Sequence, residues 1–467
     1  MQPLLTRAAE LAIAYRDHTQ AAERMGTQSY AESAAVFDAP TPEQGEADIA
    51  VIESLAALAA PGLRAMTGPR FFGWVIGGSH PVGVAADWLT AAWGQNAGNH
   101  MASPAAAAAE TVAARWLLDL LDLPREASVG FVTGATMANF VGLAAARGAL
   151  LRAVGWDADR NGLFGAPEIH VVLGDDGHST VFSALQYLGL GHDRVKRVAT
   201  DAQGRMLPTA FAETLATCQG PTLVVLQAGQ LNTGAFDPAE VLIPLARQHG
   251  AWVHVDGAFG LWARACPSRA GLAKGLDLAD SWACDGHKWL QTPYDCGFAI
   301  VRDPQAHAGA MTIAASYLPA VAAGERDPAH YVPELSRRAR GFATWAMIRH
   351  LGRAGIAEMV ERHCRLAARM ATALAAEQGV QVVNEVVLNQ IIVRFGAAEA
   401  GDAATERVVR HIQAEGVIFA GGARWRGQWV MRLSVIGTLL DEAQADRSVA
   451  AVLSAWREVQ SVPDPRP

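Results

Sequence analysis

The stretch Ser281–Leu290 reads S-W-A-C-D-G-H-K-W-L, and the rest of the chain is interpreted from it. At its centre lies Lys288, one of three lysines in 467 residues; the others are Lys196 and Lys274. Positive charge is otherwise carried by arginine. Lys196 lies in a charged patch and Lys274 in a Gly/Ala-rich loop, so both are expected to be solvated. Lys288 instead lies between two tryptophans and precedes a short apolar run.

The amine of Lys288 can do what a guanidinium cannot. Once burial or neighbouring groups lower its pKa, a lysine amine forms an imine with an aldehyde. We therefore hypothesise that Lys288 holds pyridoxal phosphate as a Schiff base. The alternative interpretation is a half-exposed lysine that lies over a tryptophan ring in a cation–π contact.

Length and composition limit the classes of protein that remain. The chain has 467 residues, 51% of them hydrophobic, which favours two or three domains with a large core. A net charge of −8 with 18% charged residues leaves no basic surface for nucleic acid. No run of about 18 apolar residues occurs, so no membrane span is predicted.

The cysteines and the first residues indicate a compartment. The five cysteines are odd in number and show no metal-ligand spacing, which predicts free thiols, a reducing environment and no metal site. The start of the sequence shows no basic segment followed by an apolar one, so no signal peptide is expected. We expect a cytoplasmic protein.

Seven short apolar segments alternate with helical patterns, and they predict an α/β fold with a mainly parallel sheet covered on both faces. They are Val129–Val132, Ile169–Leu173, Val195–Ala199, Thr222–Leu226, Trp252–Val255, Ser281–Cys284 and Gly297–Val301. Ligands bind such sheets at the carboxyl ends of the strands. The residues expected at those ends are Ala135, Thr136, His178, Gln230, Asp256 and Lys288.

This set matches what pyridoxal phosphate requires. The cofactor needs a lysine for its aldehyde, backbone N–H groups at a helix start for its phosphate, a carboxylate for its pyridine nitrogen and flat packing on both ring faces. Those needs can be met, in turn, by Lys288, Ala135 with Thr136, Asp256, and His178 with Ala258. Each feature also has an ordinary structural explanation, because Thr-Gly before a helix is usually a turn and cap.

Several motifs together resemble the group II pyridoxal-phosphate-dependent amino acid decarboxylases. They are T-G-A-T-M-A-N-F, D-D-G-H-S-T, G-A-F-D-P, W-V-H-V-D-G-A-F-G and D-G-H-K-W-L, in this order from Thr133 to Leu290. The resemblance implies a type I fold with an N-terminal arm (1–70), a large cofactor domain (71–345) and a small α+β C-terminal domain (346–467). It also implies an obligate homodimer with shared active sites and an amino acid substrate.

The resemblance assigns roles to particular residues. It places the Schiff base on Lys288 and the carboxylate for the pyridine nitrogen on Asp256. Four contacts follow from the same motifs: Ala258 against one ring face, His178 stacked on the other, Ala135 and Thr136 at the phosphate, and His287 near the cofactor. Tyr317, some 30 residues after the lysine, would protonate the α-carbon, which favours decarboxylation over aldehyde formation.

Two positions depart from the family pattern. Asp285-Gly286 stands where the family commonly has asparagine-proline, and an aspartate close to a phosphate would repel it. Gln230 stands where a threonine is often found near the phenolic oxygen of the cofactor. Both departures leave the contacts at these two positions open.

Substrate identity is less constrained. The aromatic and glycine-rich segment 68–98 suggests that Phe72 and Trp74 line a pocket for an apolar or aromatic side chain, unless the segment is only a buried connection. Arg424 and Arg426 could bind a carboxylate, although surface arginines are the simpler interpretation.

Three other functions remain open at this stage. The first is another pyridoxal-phosphate enzyme, such as an aldehyde synthase, a lyase or another enzyme that cleaves a carbon–carbon bond. The second is a binding protein without catalytic activity. The third is a nucleotide-binding α/β protein, which is disfavoured because neither G-x-G-x-x-G nor a Walker sequence occurs in the right place.

Overall fold

The computed structural model describes residues 1–312, 325–397 and 399–461. These residues form two compact units. The first comprises residues 1–78, 365–383 and 391–467 up to the described limit, and the second comprises residues 79–364 and 384–390 outside the gap. The predicted domain boundaries after residues 70 and 345 stay predictions.

Within the described residues there are fourteen α-helices and eleven strands. The helices are α1 (Gln2–Ala21), α2 (Tyr30–Phe37), α3 (Asp48–Ala59), α4 (Pro81–Trp93), α5 (Pro104–Leu120), α6 (Ala135–Ala153), α7 (Ala158–Asn161), α8 (Ser179–Tyr187), α9 (Pro208–Ala216), α10 (Ala239–Gln248), α11 (Pro304–Met311), α12 (Arg340–Ala375, kinked at Gly352), α13 (Gly401–Glu415) and α14 (Glu442–Ser461). The strands are β1 (Ser128–Val132), β2 (His170–Gly174), β3 (Lys196–Val198), β4 (Thr222–Gln227), β5 (Trp252–Asp256), β6 (Ser281–Asp285), β7 (Gly297–Val301), β8 (Val380–Val382), β9 (Gln390–Phe395), β10 (Gly421–Trp425) and β11 (Gln428–Ser434).

The second unit is built on a seven-stranded sheet with the order β1-β7-β6-β5-β4-β2-β3. Strands β3, β2, β4, β5 and β6 pair in parallel, whereas β7 runs antiparallel to both β6 and β1. The connection between β6 and β7, residues 286–296, is too short for the crossover that a parallel pair requires. The prediction of a mainly parallel seven-stranded sheet is confirmed, and Lys288 lies in this short connection.

Helix α6 packs closely against the sheet because its buried face is made of small residues. Ala138, Val141 and Ala144 belong to the core beneath the strands. At Gly142 a Cβ atom would meet the ring of His254 on β5 at 2.7 Å, so only glycine permits this approach. The approach brings the first residues of α6 to the carboxyl end of β1.

The first unit contains a smaller sheet with the order β10-β11-β9-β8, in which β10 pairs with β11 and β8 with β9 in antiparallel fashion. Helices α13 and α14 belong to the same unit, so a small α+β unit is formed as predicted. Strand β10 was not predicted, because Gly421 and Gly422 interrupt its apolar pattern. Among the described helices, none is long and apolar enough to cross a membrane.

Candidate active site

A cavity of about 380 Å³ opens in the second unit at the carboxyl ends of the central strands. The residues around it lie at or just after the carboxyl ends of β1, β4, β5 and β6, at the starts of α6 and α8, or in the connection that follows β6. They are Thr133, Gly134, Ala135, Thr136, His178, Thr180, Gln227, Gly229, Leu231, Asp256, Ala258, Phe259, Asp285, His287, Lys288, Tyr294 and Asp295.

The cavity contains most of the cofactor residues that the sequence suggested. Seven of them line it: Lys288, Asp256, His178, Ala135, Thr136, Ala258 and His287. The residues come from segments that are far apart in the sequence. The fold therefore brings together an amine, a carboxylate, an imidazole and a helix start, as the strand-end argument requires.

The remaining predicted residues are not among those that line the cavity. Tyr317 lies outside the described residues. The four suggested substrate residues belong to the first unit, where Phe72 is buried, Trp74 is exposed beside the Phe419 ring, and Arg424 and Arg426 lie over Trp429 and Trp425. Their roles toward a substrate stay predictions.

Lys288 forms an ion pair at the edge of the cavity. Its Nζ lies 3.0 Å from Oδ2 of Asp285 and 6.0 Å from the centroid of the Phe259 ring. The lysine side chain is 17% exposed and the aspartate side chain 2%. Trp289 is fully buried and its Nε1 donates to Nδ1 of His363 at 3.0 Å. The contact of Lys288 is thus with a carboxylate and a phenylalanine rather than with the adjacent tryptophan.

The start of α6 forms an anion site, which we define as the backbone N–H groups of Ala135 and Thr136. The residue before them, Gly134, has extended backbone, and a Cβ at this position would meet His287 Cε1 at 2.9 Å. Backbone N–H groups at a helix start and the helix dipole both favour a negative charge here. In the structure the Ala135 N–H donates to Oδ1 of Asp285 at 2.6 Å.

Asp256 presents a buried carboxylate at the end of β5. It is 6% exposed, and its Oδ1 accepts the Ala258 N–H at 3.3 Å. Within the described part of the chain no cation pairs with it. A buried carboxylate is costly unless it is paired, so a protonated ring nitrogen is a suitable partner.

His287 and Tyr294 form a stacked aromatic pair beside the anion site. Their ring centroids lie 4.3 Å apart with an interplanar angle of 24°. Burial lowers the pKa of His287, and the Cys296 N–H donates to its Nδ1 at 3.1 Å, so the neutral ring carries its proton on Nε2. Burial raises the pKa of Tyr294, which keeps its hydroxyl protonated.

Gln227 lines the cavity, whereas the suggested Gln230 does not. The amide oxygen of Gln230 accepts the N–H groups of Asn232 and Thr233 at 2.6 and 3.1 Å, which holds the turn after β4. Gln227 is the register partner of Asp256 on the adjacent strand. The sequence contains a signal for Gln227, because Gln227, like Asp256, stands at the end of an apolar strand.

The residues of the cavity fit pyridoxal phosphate in size, shape and donor set, with one disagreement. The amine, the carboxylate, the flat rings and the helix start correspond to the four needs of the cofactor. The glycine at position 134 leaves space that a side chain would fill. The disagreement is Asp285, whose negative charge occupies the N–H donor that a phosphate would use.

Comparisons with known proteins agree with this geometry. Residues 31–395 match a family model described as pyridoxal-dependent decarboxylase conserved domain. An aromatic-L-amino-acid decarboxylase from Bacillus atrophaeus is 27% identical over 79% of this chain and 77% of its own length. A phenylacetaldehyde synthase from a Rosa hybrid cultivar is 25% identical over 86% of this chain and 81% of its own.

A solved structure has the same fold. The crystal structure of Oryza sativa TDC with PLP and tryptamine superposes with a TM-score of 0.90 at 23% identity, and the match covers 98% of this chain and 97% of that one. At this identity the likeness concerns the fold alone. It confirms the architecture of a type I pyridoxal-phosphate enzyme.

Proposed function

The chain belongs to the pyridoxal-dependent decarboxylase family, and from that premise we propose that it converts an aromatic L-amino acid to the amine and CO2. It is a pyridoxal-phosphate-dependent amino acid decarboxylase by class. The observation that carries the proposal is that Lys288, Asp256, His178 and the start of α6 meet in one cavity.

Each of these residues has a role toward the cofactor. The amine of Lys288 would hold its aldehyde, and the anion site of Ala135 and Thr136 would hold its phosphate. His178 and Ala258 would lie against the two faces of its ring. These roles rest on the chemistry of each group and on their common place around the cavity.

When bound, pyridoxal phosphate supplies an electron sink for the electron pair left as the carboxylate departs. Asp256 would accept a hydrogen bond from a protonated ring nitrogen and keep the proton there. Lys288 Nζ lies 3.0 Å from Asp285 Oδ2 and would carry protons within the cavity. Tyr317 is the proposed proton donor to the α-carbon and lies outside the described residues.

An aromatic substrate is supported by the walls of the cavity. Phe259, Leu231 and Tyr294 give it apolar and aromatic surface near Lys288. The Bacillus atrophaeus relative is named for action on aromatic L-amino acids. We propose Phe72 and Trp74 as further contacts to an apolar substrate, and Arg424 or Arg426 only where the substrate has a second carboxylate.

A substrate panel tests the proposal. The purified protein with added cofactor is incubated with L-tryptophan, L-tyrosine, L-phenylalanine, L-histidine and L-glutamate, and CO2 and amine are quantified. We expect equal amounts of CO2 and amine from at least one aromatic substrate. Release of CO2 from glutamate or histidine alone would overturn the aromatic assignment and leave the family intact.

An aldehyde synthase is the second candidate, favoured by the likeness to the Rosa phenylacetaldehyde synthase. Such an enzyme consumes O2 and yields aldehyde, CO2, ammonia and hydrogen peroxide from the amino acid. Measuring ammonia and peroxide beside CO2 separates the two reactions. If ammonia equals CO2 and no amine accumulates, the decarboxylase proposal fails.

We propose that the protein acts as a homodimer with shared active sites. Within the first unit, α1 buries only Thr19, and α2 and α3 bury no residue at all. Leu5, Ile13 and Leu55 on these helices are 57%, 54% and 53% exposed, which calls for a covering surface. The second copy is the covering surface that the family resemblance implies.

Light scattering tests the homodimer. We expect a mass of twice the 49.3 kDa of one chain. Ile13→Asp should shift the protein toward monomer, whereas Glu10→Ala on the same helix should not. A monomeric wild-type protein with full activity would contradict the proposal.

We also propose a cytoplasmic location, because all five cysteines are buried and free.

A further inference from the structure

Six side chains form a continuous hydrogen-bonded row that leads from the cavity into the sheet. The row contains, from the cavity inward, His178, Thr180, Asn139, His254, Ser281 and Trp252. They come from α8 and the residue before it, from α6 and from strands β5 and β6. The groups at the two ends of the row fix the direction in which each proton is donated.

At the inner end, Trp252 Nε1 lies 2.9 Å from Ser281 Oγ, which lies 2.8 Å from His254 Nδ1. An indole N–H is a donor only. The serine oxygen therefore accepts from Trp252, and its hydroxyl proton is available for His254 Nδ1, the acceptor that remains because His254 Nε2 donates to the amide oxygen of Asn139. His254 Nδ1 is then an acceptor.

The middle of the row transmits this direction. Burial lowers the pKa of His254 to about 3, so its ring is neutral and carries one proton, on Nε2. That proton is donated to Asn139 Oδ1 at 2.9 Å. The amide nitrogen of Asn139 then faces Thr180 Oγ1 at 3.4 Å as a donor. The Thr180 hydroxyl is left to donate to His178 Nδ1 at 2.8 Å.

The outer end selects the same direction independently. His178 is the N-cap of α8, and the backbone N–H of Thr180 points at His178 Nδ1 at 3.3 Å. With every proton reversed, His178 Nδ1–H would face that N–H, and the Ser281 proton would have no acceptor in the row. Only one direction satisfies both Trp252 and the helix start.

We infer that this row holds His178 as a neutral imidazole with its single proton on Nε2. Nδ1 receives two hydrogen bonds, so adding a proton there would break both. Thr180 and Asn139 are accordingly positioning residues, which act on the ring through His178 Nδ1. In the proposed function, on which this last consequence rests, the ring that faces the cofactor is an uncharged donor.

Other titratable groups also face the cavities that His178 lines, and those that carry charge bear on its protonation. They are Asp256, Asp285, His287, Lys288, Tyr294 and Asp295 in the larger cavity, and Asp176, Asp237 and Asp256 in a small void behind it. None of them lies between Thr180 and His178 Nδ1, whose hydroxyl contact is 2.8 Å. The two hydrogen bonds at Nδ1 therefore decide where the proton resides.

The direct test is the tautomer of His178 in the holoenzyme. The protein is labelled with ring-¹⁵N histidine, and long-range ¹H–¹⁵N spectra are recorded from pH 6 to 8. His178→Gln identifies the signals by their loss. We expect one protonated nitrogen, Nε2, and one unprotonated nitrogen, Nδ1, across this range. A ring protonated on Nδ1, or on both nitrogens at pH 7, would overturn the inference.

Matched variants test the row itself. Thr180→Val removes the hydroxyl at nearly constant volume, and Thr180→Ser retains it. In the valine variant we expect mixed tautomers and a ring that takes up its second proton at higher pH, with kcat/KM at pH 6 lowered about tenfold. The serine variant should resemble the wild type. Unchanged ring signals in Thr180→Val would contradict the role of the row.

A distant variant covers the case in which Thr180→Val fails to fold. Trp252→Phe removes the donor that sets the direction at the inner end, and it should broaden or shift the His178 ring signals. Unchanged His178 ring signals in this variant would show that the direction of the hydrogen bonds is not transmitted along the row. The nitrogen spectra do not depend on turnover, so failure of the proposed reaction and failure of this inference are distinguishable.

Discussion

At the scale of single residues, Asp285 distinguishes this cavity from a simple phosphate site. Its Oδ1 accepts the Ala135 N–H at 2.6 Å and its Oδ2 pairs with Lys288 at 3.0 Å. One carboxylate therefore contacts both the anion site and the amine. The resemblance to the family had already marked this position as a departure, because asparagine is common there.

Asp285→Asn should strengthen binding of pyridoxal phosphate. The amide oxygen can still accept the Ala135 N–H, while the negative charge beside the phosphate is removed. Two like charges about 4 Å apart repel by about 1 kcal/mol even in bulk water, so we expect the Kd for the cofactor to fall by at least about fivefold. Titration of the apoenzyme with the cofactor, followed by absorbance, measures it.

Asp295→Asn is the control for this change. Asp295 also lines the cavity but pairs with Arg340 at 2.8 Å and makes no contact with Ala135. Its substitution should leave the Kd for the cofactor within about twofold. Weaker binding in Asp285→Asn would show instead that the carboxylate is needed to orient Lys288.

At the scale of elements, the anion site depends on how closely β7 passes the start of α6. A Cβ at Gly297, the first residue of β7, would lie 2.5 Å from the Cα of Gly134. Residue 297 must therefore be glycine for the strand and the helix start to meet. The same approach sets where the Ala135 N–H points.

Gly297→Ala should displace the anion site. The new methyl group overlaps backbone atoms of Gly134, which cannot rotate away, and we expect a loss of about 1–3 kcal/mol of stability. The Kd for pyridoxal phosphate should rise about tenfold. Gly271→Ala is the matched control, because a Cβ there meets nothing within 4 Å. Equal cofactor affinity in the two variants would contradict the claim that the close approach of β7 positions the anion site.

At the scale of the whole molecule, two fully buried histidines link folding to pH. Burial lowers the pKa of both His254 and His307 to about 3. His307 Nε2 lies 2.9 Å from the Tyr331 carbonyl, and its Nδ1 lies 2.8 Å from Ser128 Oγ. In the unfolded chain each histidine takes up a proton near pH 6.5.

Stability should therefore fall as the pH drops below about 6.5. Between pH 6.5 and 3 the unfolded chain binds more protons than the folded one. Each such histidine therefore lowers the free energy of unfolding by about 1.4 kcal/mol for every pH unit that the pH falls. We expect the melting temperature to fall from pH 7 to pH 5, and to fall less in His307→Gln. The control is His192→Gln, at an exposed position, and its melting temperature should fall with pH as that of the wild type does. Identical pH dependence in all three proteins would contradict this assignment.

Much of the fold and of the site follows from the sequence alone. The sequence predicts the bounds of all seven strands of the large sheet within one residue, because an apolar run between turn residues is a local signal. Lys288 and Asp256 could be singled out because their chemistry is unusual at the ends of apolar strands. These features depend on residue type and short-range spacing, which sequence displays directly.

Other features exist only because distant segments meet. The contact of Asp285 with Ala135 joins residues 150 positions apart, and Gln227 replaces Gln230 in the cavity through the register of β4 with β5. The protonation of His178 depends on Trp252, from which four other side chains of the row separate it. Sequence determined which chemical groups stand at the strand ends. The tertiary structure decided which of them touch, because strand order and backbone approach set hydrogen-bond geometry, and that geometry does not depend on distance along the chain.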